Sequence, residues 1–471
     1  MAVEDVVAAV RDWKSRVSNI QLYTDYYRGR HRIGQYATEA FLKDFRWVLE
    51  NSRENLCKAV VKGFSSKLEI TGWEGAGAQQ SKQATDLVES LKLTKTFNLT
   101  HRESFRTGDG YVLVWPDNTG TLRPWPHLSR NVSVKSDPGN PDRLEWFAKI
   151  WLNEQGYGRV NVYYPGRVER WVTKNQLRQP SDVTFRPDLR ANWPDKQSAF
   201  EPFSDTEDGW EISAPGLPDD RVPAIWLAHD AEEMGGHGVS VLEDVVPLQD
   251  ALNKSIADLI VGGENFALPL RYLMNYRATR KIDPDSGEVT EEVIRADPTV
   301  NKILTLPGDG PFGQLDPPDA TKLLAVHEAY ANKVARVTGL PAFYVSQVTG
   351  EPPTGVALRV MSTRLTDATK ETQTDFGPWW SELMELLGVP DVKPLWRDPA
   401  PKDETEELDE AETRKAIGYP LREILRKLGE DEEDIVRIMG EASASRGQVP
   451  NGGDLAARAF EAGVDPADLV G

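Results

Sequence analysis

Residues 238–266 read GVSVLEDVVPLQDALNKSIADLIVGGENF, and this stretch decides the fold. Apolar side chains recur in it at intervals of three and four residues, which places them on one face of an α-helix. A helix from residue 240 to residue 266 is about 40 Å long at about 1.5 Å per residue, which is long for a globular protein. The stretch therefore predicts a long stem helix whose packing face carries Val245, Leu248, Leu252, Ile256 and Leu259.

The chain returns through a second long helix after a compact segment. Residues 267–316 contain short strand-like runs separated by a turn, which indicates a small α/β module. The returning helix, residues 317–338, ends at Gly339, and its stripe includes Tyr330 and Val334. Two long helices that bracket a small module have too little mass around them to bury both stripes. The sequence therefore predicts a stem that neighbouring copies cover.

A third long helix, residues 356–388, follows the loop 339–355. Gly377 and Pro378 predict a kink in it, because proline removes a hydrogen bond and clashes with the preceding turn. The middle of this helix, residues 366–375, is almost wholly polar. We expect that middle to face solvent, a lumen or a polar contact between subunits.

The N-terminal half combines helices with a β-rich region. A first helix carries the apolar stripe Val6, Val10, Trp13 and Val17, and a second is predicted over residues 42–68. Period-two alternation between residues 105 and 228 predicts short strands, interrupted by an aperiodic excursion at 179–218. A basic and aromatic cluster, residues 26–32, is expected on the surface or at a subunit contact, with contact to nucleic acid as the weaker alternative.

The composition excludes several classes of protein. The net charge of −19 disfavours stable binding of nucleic acid, although a wall past which DNA slides can be acidic. The single cysteine, Cys57, excludes an internal disulfide and multi-cysteine zinc sites. No apolar run approaches the roughly 18 residues of a membrane span. The acidic residues at the N-terminus do not suit a signal peptide. We expect synthesis in the cytoplasm and no membrane partner.

Three patterns with possible chemistry are interpreted as structural. Residues 308–313 satisfy G-x-G-x-x-G, but a proline inside the motif favours a turn. His327-Glu328 lacks the second histidine of a zinc helix, so we assign His327 to stem packing. A further cluster contains residue types that can bind a metal, but its spacing matches no helix-borne zinc site. We therefore interpret it as a loop with solvated charges. That cluster comprises His229, Asp230, Glu232, Glu233 and His237.

No phosphate-binding lysine loop, nucleophile elbow or Cys-His pair is present in the sequence. We therefore expect no catalytic residue, no cofactor and no metal. The 14 tryptophans and the many carboxylates leave a carbohydrate-active hydrolase as the enzyme alternative. A ring-forming scaffold protein of non-viral origin is a third possibility, because the stem pair alone permits it.

Several stretches resemble the phage portal proteins of siphophages of Gram-positive hosts. The most specific is residues 238–254, which is similar to the family's entry into its first stem helix. Residues 353–358, PTGVAL, resemble a Pro-Ser-Gly-x-Ala-Leu pattern, although threonine replaces serine and valine stands where the family often has an acidic residue. The other resembling stretches are residues 26–31, 55–61, 68–73 and 338–341.

The resemblance implies an α+β portal fold that forms a ring of about twelve subunits at one capsid vertex, with DNA packaging and ejection through its channel. The implied parts are a wing (1–238), stem helices (239–266 and 317–338) around a clip (267–316), a tunnel loop (339–355), a long kinked helix (356–388), and a crown with a C-terminal tail (389–471).

The resemblance also implies partners and a location. The clip would meet the terminase large subunit and later a head-completion or adaptor protein, while the wing would contact the major capsid and scaffolding proteins. Double-stranded DNA would pass through non-specifically. The protein would lie in the virion, after assembly in the host cytoplasm. Position in the tunnel loop selects Tyr344, Gln347 and Thr349 as candidates to touch DNA.

Overall fold

A computed structural model provides the structure. It describes residues 2–32, 34–177, 193–204, 211–212, 219–267, 271–274, 279–282, 286, 289–292, 303–306, 313–314, 319–346, 354–401, 404–428 and 434–440. The chain forms two compact units. The first comprises Met1–Pro352 and Met361–Pro399, and the second comprises Pro353–Val360 and Ala400–Gly471.

The chain begins with helices and one short strand. In order they are α1 (Ala2–Tyr27), α2 (Glu39–Asn51), α3 (Leu56–Ser65), β1 (Ile70–Gly75), α4 (Ala78–Leu91) and α5 (Leu93–Thr107). The predicted stripe of α1 is buried, as expected. A single helix over residues 42–68 is wrong. The chain leaves helical geometry at Ser52, and Asn55 starts α3 by accepting a hydrogen bond from the Lys58 N–H at 3.1 Å.

Nine strands lie between α5 and the stem in the part of the chain that the structure describes. They are β2 (Asp109–Pro116), β3 (Leu122–His127), β4 (Val132–Asp137), β5 (Asn140–Leu152), β6 (Gly158–Tyr164), β7 (Arg167–Thr173), β8 (Phe200–Pro202), β9 (Glu211–Ile212) and β10 (Ala224–Ala228). One antiparallel sheet has the order β10-β2-β3, and in it Tyr111 pairs with both Trp226 and His127. A larger antiparallel sheet has the order β4-β5-β6-β7-β8, with β9 also paired to β7. The stripe of α1 packs on that larger sheet.

The stem pair comprises α6 (Val245–Ala267) and α7 (Ala320–Thr338), which contact each other. Helix α6 starts later than expected, because the Ser240 hydroxyl accepts from the Leu242 N–H at 3.0 Å and turns the chain. Gly339 ends α7 in the left-handed conformation at φ 74°, as the sequence predicts. Between the helices lie β11 (Arg271–Met274), β12 (Thr279–Ile282), β13 (Val289–Glu292), β14 (Ile303–Leu306) and β15 (Gly313–Gln314).

The helix expected over residues 356–388 is two helices. After the 3-10 turn Ala342–Tyr344 come α8 (Gly355–Met361), α9 (Thr363–Leu386), β16 (Val392–Trp396), α10 (Glu404–Ala416) and α11 (Leu421–Lys427). The break at Ser362 lies near the boundary between the two compact units. Gly377 and Pro378 lie inside α9, which stays helical through them. The kink at this point stays a prediction.

The polar middle of α9 does not simply face outward. Thr366, Thr369 and Thr372 are buried, contrary to the expectation of an exposed polar stretch. A threonine can bury its methyl group while its hydroxyl bonds to the helix backbone. The Thr369 hydroxyl donates to the Leu365 carbonyl at 2.6 Å, and the Thr372 hydroxyl donates to the Ala368 carbonyl at 2.9 Å.

The largest core cluster joins the stem to the helices around it. Buried residues of α3, α5, α6, α7 and α9 contribute to this one cluster, together with residues of β1, β2, β10 and β16. The start of α6 and the end of α7 therefore belong to the same core as the helices and strands that precede α6. Among the helices that the structure describes, none combines the length and apolar character that a membrane crossing requires.

Candidate functional site

The predicted stem residues lie mostly in one core cluster. Leu252 on α6 and Val334 on α7 are fully buried. Leu248, Ile256 and Tyr330 are half-buried and pack against the same cluster. Leu259, nearer the end of α6, is half-buried and lies outside that cluster. The stripe of α6 is thus covered by its own chain at the base and becomes more open toward the far end.

Gln249 joins α6 to the start of α3. Its amide oxygen accepts hydrogen bonds from the Leu56 N–H at 2.8 Å and the Cys57 N–H at 3.3 Å, while its amide nitrogen donates to the Glu54 carbonyl at 2.8 Å. The first N–H groups of a helix have no partner within the helix. Gln249 is fully buried, so it satisfies backbone groups that water does not reach.

Asp250, one residue on, joins α6 to the end of α1. The Tyr26 hydroxyl lies 2.7 and 2.8 Å from the two carboxylate oxygens of Asp250 and donates to this carboxylate. Burial, together with Asp250, raises the pKa of Tyr26. Burial raises the pKa of Asp250 as well, and outweighs the opposing hydrogen bond from Tyr26. The pair is a buried contact between residues that are 224 positions apart.

Asn253 completes the contact, one helical turn beyond Gln249. Its side chain lies 2.8 Å from His31 Nδ1 and accepts from the Glu54 N–H at 3.2 Å. His31 Nε2 in turn lies 3.2 Å from the Tyr26 carbonyl. Tyr26, His31, Gln249, Asp250 and Asn253 together form what we call the stem anchor. All five side chains are buried.

The stem anchor corrects the interpretation of residues 26–32 as a surface cluster. Tyr26 and His31 are buried and bonded to α6, while Arg28, Arg30 and Arg32 point outward. Three stretches that carry the resemblance, residues 26–31, 55–61 and 238–254, meet here. No local pattern signals this meeting, because the partners are distant in sequence.

Helix α2 covers another side of α6. Val48 and Leu49 pack on Ala257 of α6, and the Lys254 ammonium lies 4.4 Å from the centre of the Phe41 ring. On α7, His327 Nδ1 lies 3.1 Å from the Ser255 hydroxyl, and His327 Nε2 lies 3.3 Å from Glu54. His327 therefore packs between the stem helices, as the sequence predicts.

The chain after α7 turns back onto α3. Leu340 is buried, and Leu340 and Tyr344 both pack closely on Gly63 of α3. A Cβ atom added at Gly63 would lie 3.1 Å from Cδ2 of Leu340 and 3.5 Å from Cδ1 of Tyr344. Tyr344 is thus half-buried against its own subunit, and burial raises the pKa of its hydroxyl. Gln347 and Thr349 lie outside the described residues.

A second polar network, partly open to solvent, holds α1 against the sheets. His237 Nδ1 lies 3.0 Å from Asp109, and its Nε2 lies 3.1 Å from Asp12. Arg16 pairs with Asp12 at 2.7 Å and with Asp109 at 3.3 Å. Asp109 also accepts from the Trp226 indole N–H at 2.8 Å. The expectation of a loop with solvated charges is wrong for His237, because α1 supplies a carboxylate that the local sequence does not show.

The charges of this network support one another. Burial by itself lowers the pKa of His237, but its hydrogen bonds to Asp109 and Asp12 outweigh burial, and the net pKa is raised. Burial would raise the pKa values of Asp12 and Asp109, yet His237 and Arg16 hold both below the usual range. Both ring nitrogens of His237 face carboxylates, which is the arrangement of a charged imidazolium.

Other chemistry finds little support among the described residues. No group of three or more histidine, cysteine or acidic residues in the described ranges could hold a metal ion. The tryptophans that suggested a sugar cleft are largely core residues, and only Trp47 and Trp125 of those described are strongly exposed. The tryptophans that are buried in the core cannot line a sugar cleft.

Comparison with known proteins identifies the family of the chain. The family model for the phage portal protein of the SPP1 Gp6-like type matches residues 10–446. The chain belongs to this portal protein family. The portal protein of Mycobacterium phage D29 is 23% identical to this chain over 241 residues, which are 45% of this chain and 49% of that relative. The chain therefore spans about half the length of the curated relative it matches.

Solved structures of gene transfer agent particles show a weaker likeness. A chain from the neck of an empty particle has a TM-score of 0.44 at 13% identity and covers 85% of this chain and 96% of its own length. A chain from the neck of a native particle has a TM-score of 0.42 at 13% identity, with coverage of 86% and 96%.

Proposed function

We propose that the chain is one subunit of a closed ring of about twelve copies at a capsid vertex, through which double-stranded DNA enters and leaves. The observation that carries this proposal is the family match over residues 10–446. The stem supports it, because one end of the stem is bonded into the wing while the flank of α7 exposes apolar side chains. Closed rings cover such flanks with the next copy.

The negative net charge of the chain favours a channel through which DNA passes over a channel that binds DNA tightly. Each chain has a net charge of −19, so a ring repels the phosphates of DNA on average. A duplex that does not bind tightly can be moved by a motor. The absence of an ATP-binding lysine loop in the sequence assigns the energy source to a partner ATPase. That the chain is not an enzyme stays a prediction.

The finer parts of the proposal follow the family resemblance. The segment between α6 and α7 is the clip, which would dock the terminase large subunit and later a head-completion protein. The wing would contact the major capsid and scaffolding proteins. The location is the portal vertex of the virion, after assembly in the host cytoplasm.

Electron microscopy of the purified chain tests the ring. We expect negatively stained particles with rotational symmetry and a central hole wide enough for a DNA duplex. The same chain, supplied to a phage that lacks its portal gene, should restore DNA-filled capsids. Particles without a hole, or rings that leave the capsids empty, would contradict the proposal.

The tunnel loop has its own test. Tyr344→Phe keeps the aromatic side chain that packs on Gly63. It can therefore be combined with Gln347→Ala and Thr349→Ala without opening the core. We expect this triple variant to form normal rings but to alter DNA packaging or DNA retention in the phage. A normal yield of DNA-filled particles would refute the assignment of these residues to the channel.

A further inference from the structure

One flank of α7 is left uncovered by its own chain. Lys322, Val326, Lys333 and Val337 follow one another at intervals of four, seven and four residues and therefore share this flank. Val326 is 47% exposed and Val337 is 41% exposed. Lys333 and Arg336, which we call the basic pair, are exposed and form no ion pair within the described part of the chain. The flank thus combines exposed valines with a basic pair that forms no ion pair in the described part of the chain.

Helix α6 has one narrow open flank. Other sides of α6 are covered by α2, α3 and α7. This flank carries Pro247, which is exposed, and Ala251, Lys254 and Asp258, which are half-buried. Glu243 and Asp244, which we call the acidic pair, are exposed just before α6 begins. Within the described residues the acidic pair also forms no ion pair.

The acidic and basic pairs lie toward the same end of the stem. Ser255 of α6 and His327 of α7 are in contact and therefore define one level along the antiparallel helices. From that level, the acidic pair lies about 17 Å toward the wing, and the basic pair lies about 9 to 14 Å in the same direction, at about 1.5 Å per residue. Asp258 and Lys322, on the other side of the level, already pair with Lys254 and Asp319 of the same chain. The opposite charges that form no ion pair in the described part of the chain therefore lie toward one end of the stem.

We infer that the α7 flank of one subunit docks on the α6 flank of the next copy, with the basic pair facing the acidic pair. The inference rests on the proposed ring and names its stem contact. Neighbouring copies in a ring are related by rotation about the ring axis. If this axis runs along the stem, each residue keeps its height along the axis, so charges at similar heights in one chain can meet between copies. The two flanks differ, so the contact is head to tail, which is the type that closes rings. Opposite charges also fix the register of such a contact.

Charge reversal tests the contact. One variant carries Lys333→Glu with Arg336→Glu, and the other carries Glu243→Lys with Asp244→Lys. Each variant alone places like charges at every contact, so we expect the ring peak to disappear at low salt and to return in part near 1 M salt, where charges are screened within about 3 Å. In an equal mixture, alternating subunits place opposite charges at every contact, and rings should form again at low salt.

Matched controls separate the contact from net charge and from folding. Lys82→Glu with Lys95→Glu, and Asp86→Lys with Glu89→Lys, make equal charge changes at exposed positions of α4 and α5. These variants should form rings like the unchanged chain, and all variants should keep its circular dichroism spectrum and unfold cooperatively. Rings from either stem variant alone at low salt, or a mixture that stays unassembled, would overturn the inference. Failure of the unchanged chain to form rings would instead overturn the proposed function.

Discussion

The base of the stem and its open flank lie on the same two helices but differ in their side chains. The base has buried, hydrogen-bonded polar residues, whereas the flank has exposed valines. At the base, Gln249, Asp250 and Asn253 are buried and bonded to residues about 200 positions away in the chain. On the flank of α7, Val326 and Val337 are exposed beside the basic pair, which forms no ion pair in the described part of the chain. The base is covered by its own chain, whereas the proposed contact covers the flank with another copy. The difference separates what folds a subunit from what joins two subunits.

The largest effect on folding should come from the centre of the anchor. Gln249→Ala leaves the N–H groups of Leu56 and Cys57 and the Glu54 carbonyl without the partner that they have now. We expect a loss of about 3 kcal/mol in the free energy of unfolding, because each unsatisfied buried group costs about 1 to 3 kcal/mol. Urea denaturation of the variant measures this loss. A loss under about 0.5 kcal/mol would show that the base is not held as described.

Tyr26→Phe is a smaller change in the same anchor. It keeps the buried ring and removes only the hydroxyl that donates to Asp250. We expect a loss of about 2 kcal/mol at neutral pH, because a buried carboxylate loses a partner. The pKa of Asp250, already raised by burial, should rise further, so the loss should shrink as the pH falls and Asp250 becomes protonated. Denaturation curves at pH 7 and pH 4 test this dependence, with Tyr36→Phe on the surface as the control.

The network around His237 should depend on pH with the opposite sign. His237 has a folded pKa above its unfolded value of about 6.5, so its contribution to stability is fully present below pH 6.5 and is lost as the pH rises through the raised value. The difference in free energy of unfolding between the unchanged chain and His237→Gln should be about 1 kcal/mol at pH 6 and should decline toward pH 9. A constant difference would mean that the imidazole is not charged in the fold.

Substitutions on the α7 flank should have the smallest effect on the free energy of unfolding and the largest effect on ring assembly. Val326→Ala with Val337→Ala should change the free energy of unfolding of the single chain by only about 0.5 kcal/mol or less, since neither side chain is buried. The same variant should dissociate from rings at a higher protein concentration than the unchanged chain. Dilution followed by mass photometry measures that concentration. An unchanged dissociation midpoint would break the contrast between base and flank.

Local signals in the sequence predicted much of the fold. The stripe of α1, the left-handed Gly339 and the two stem helices follow from spacing and capping rules. The break before Asn55 has a local cause that was overlooked, because asparagine is a strong N-cap residue. The buried threonines of α9 were misassigned because composition does not show that threonine can satisfy its hydroxyl within a helix.

The site was less predictable than the fold. Leu252 and Val334 were identified by periodicity, but Gln249 and Asp250 gave no local signal. Their role depends on partners in α1 and α3, and such long-range pairs cannot be read from the spacing of one segment. The same holds for His237, whose partner Asp12 lies 225 residues away. Polar residues inside a helical stripe are the one hint, since a polar side chain on a buried face needs a partner.

The molar mass of the purified chain in solution tests the central claim most directly. Twelve copies of a 52.6 kDa chain give about 630 kDa, and light scattering across a range of salt concentrations should find a closed species near this mass. A small share of rings with one subunit more is compatible with the account. A mass of 52.6 kDa at every salt concentration, with the chain folded, would contradict it.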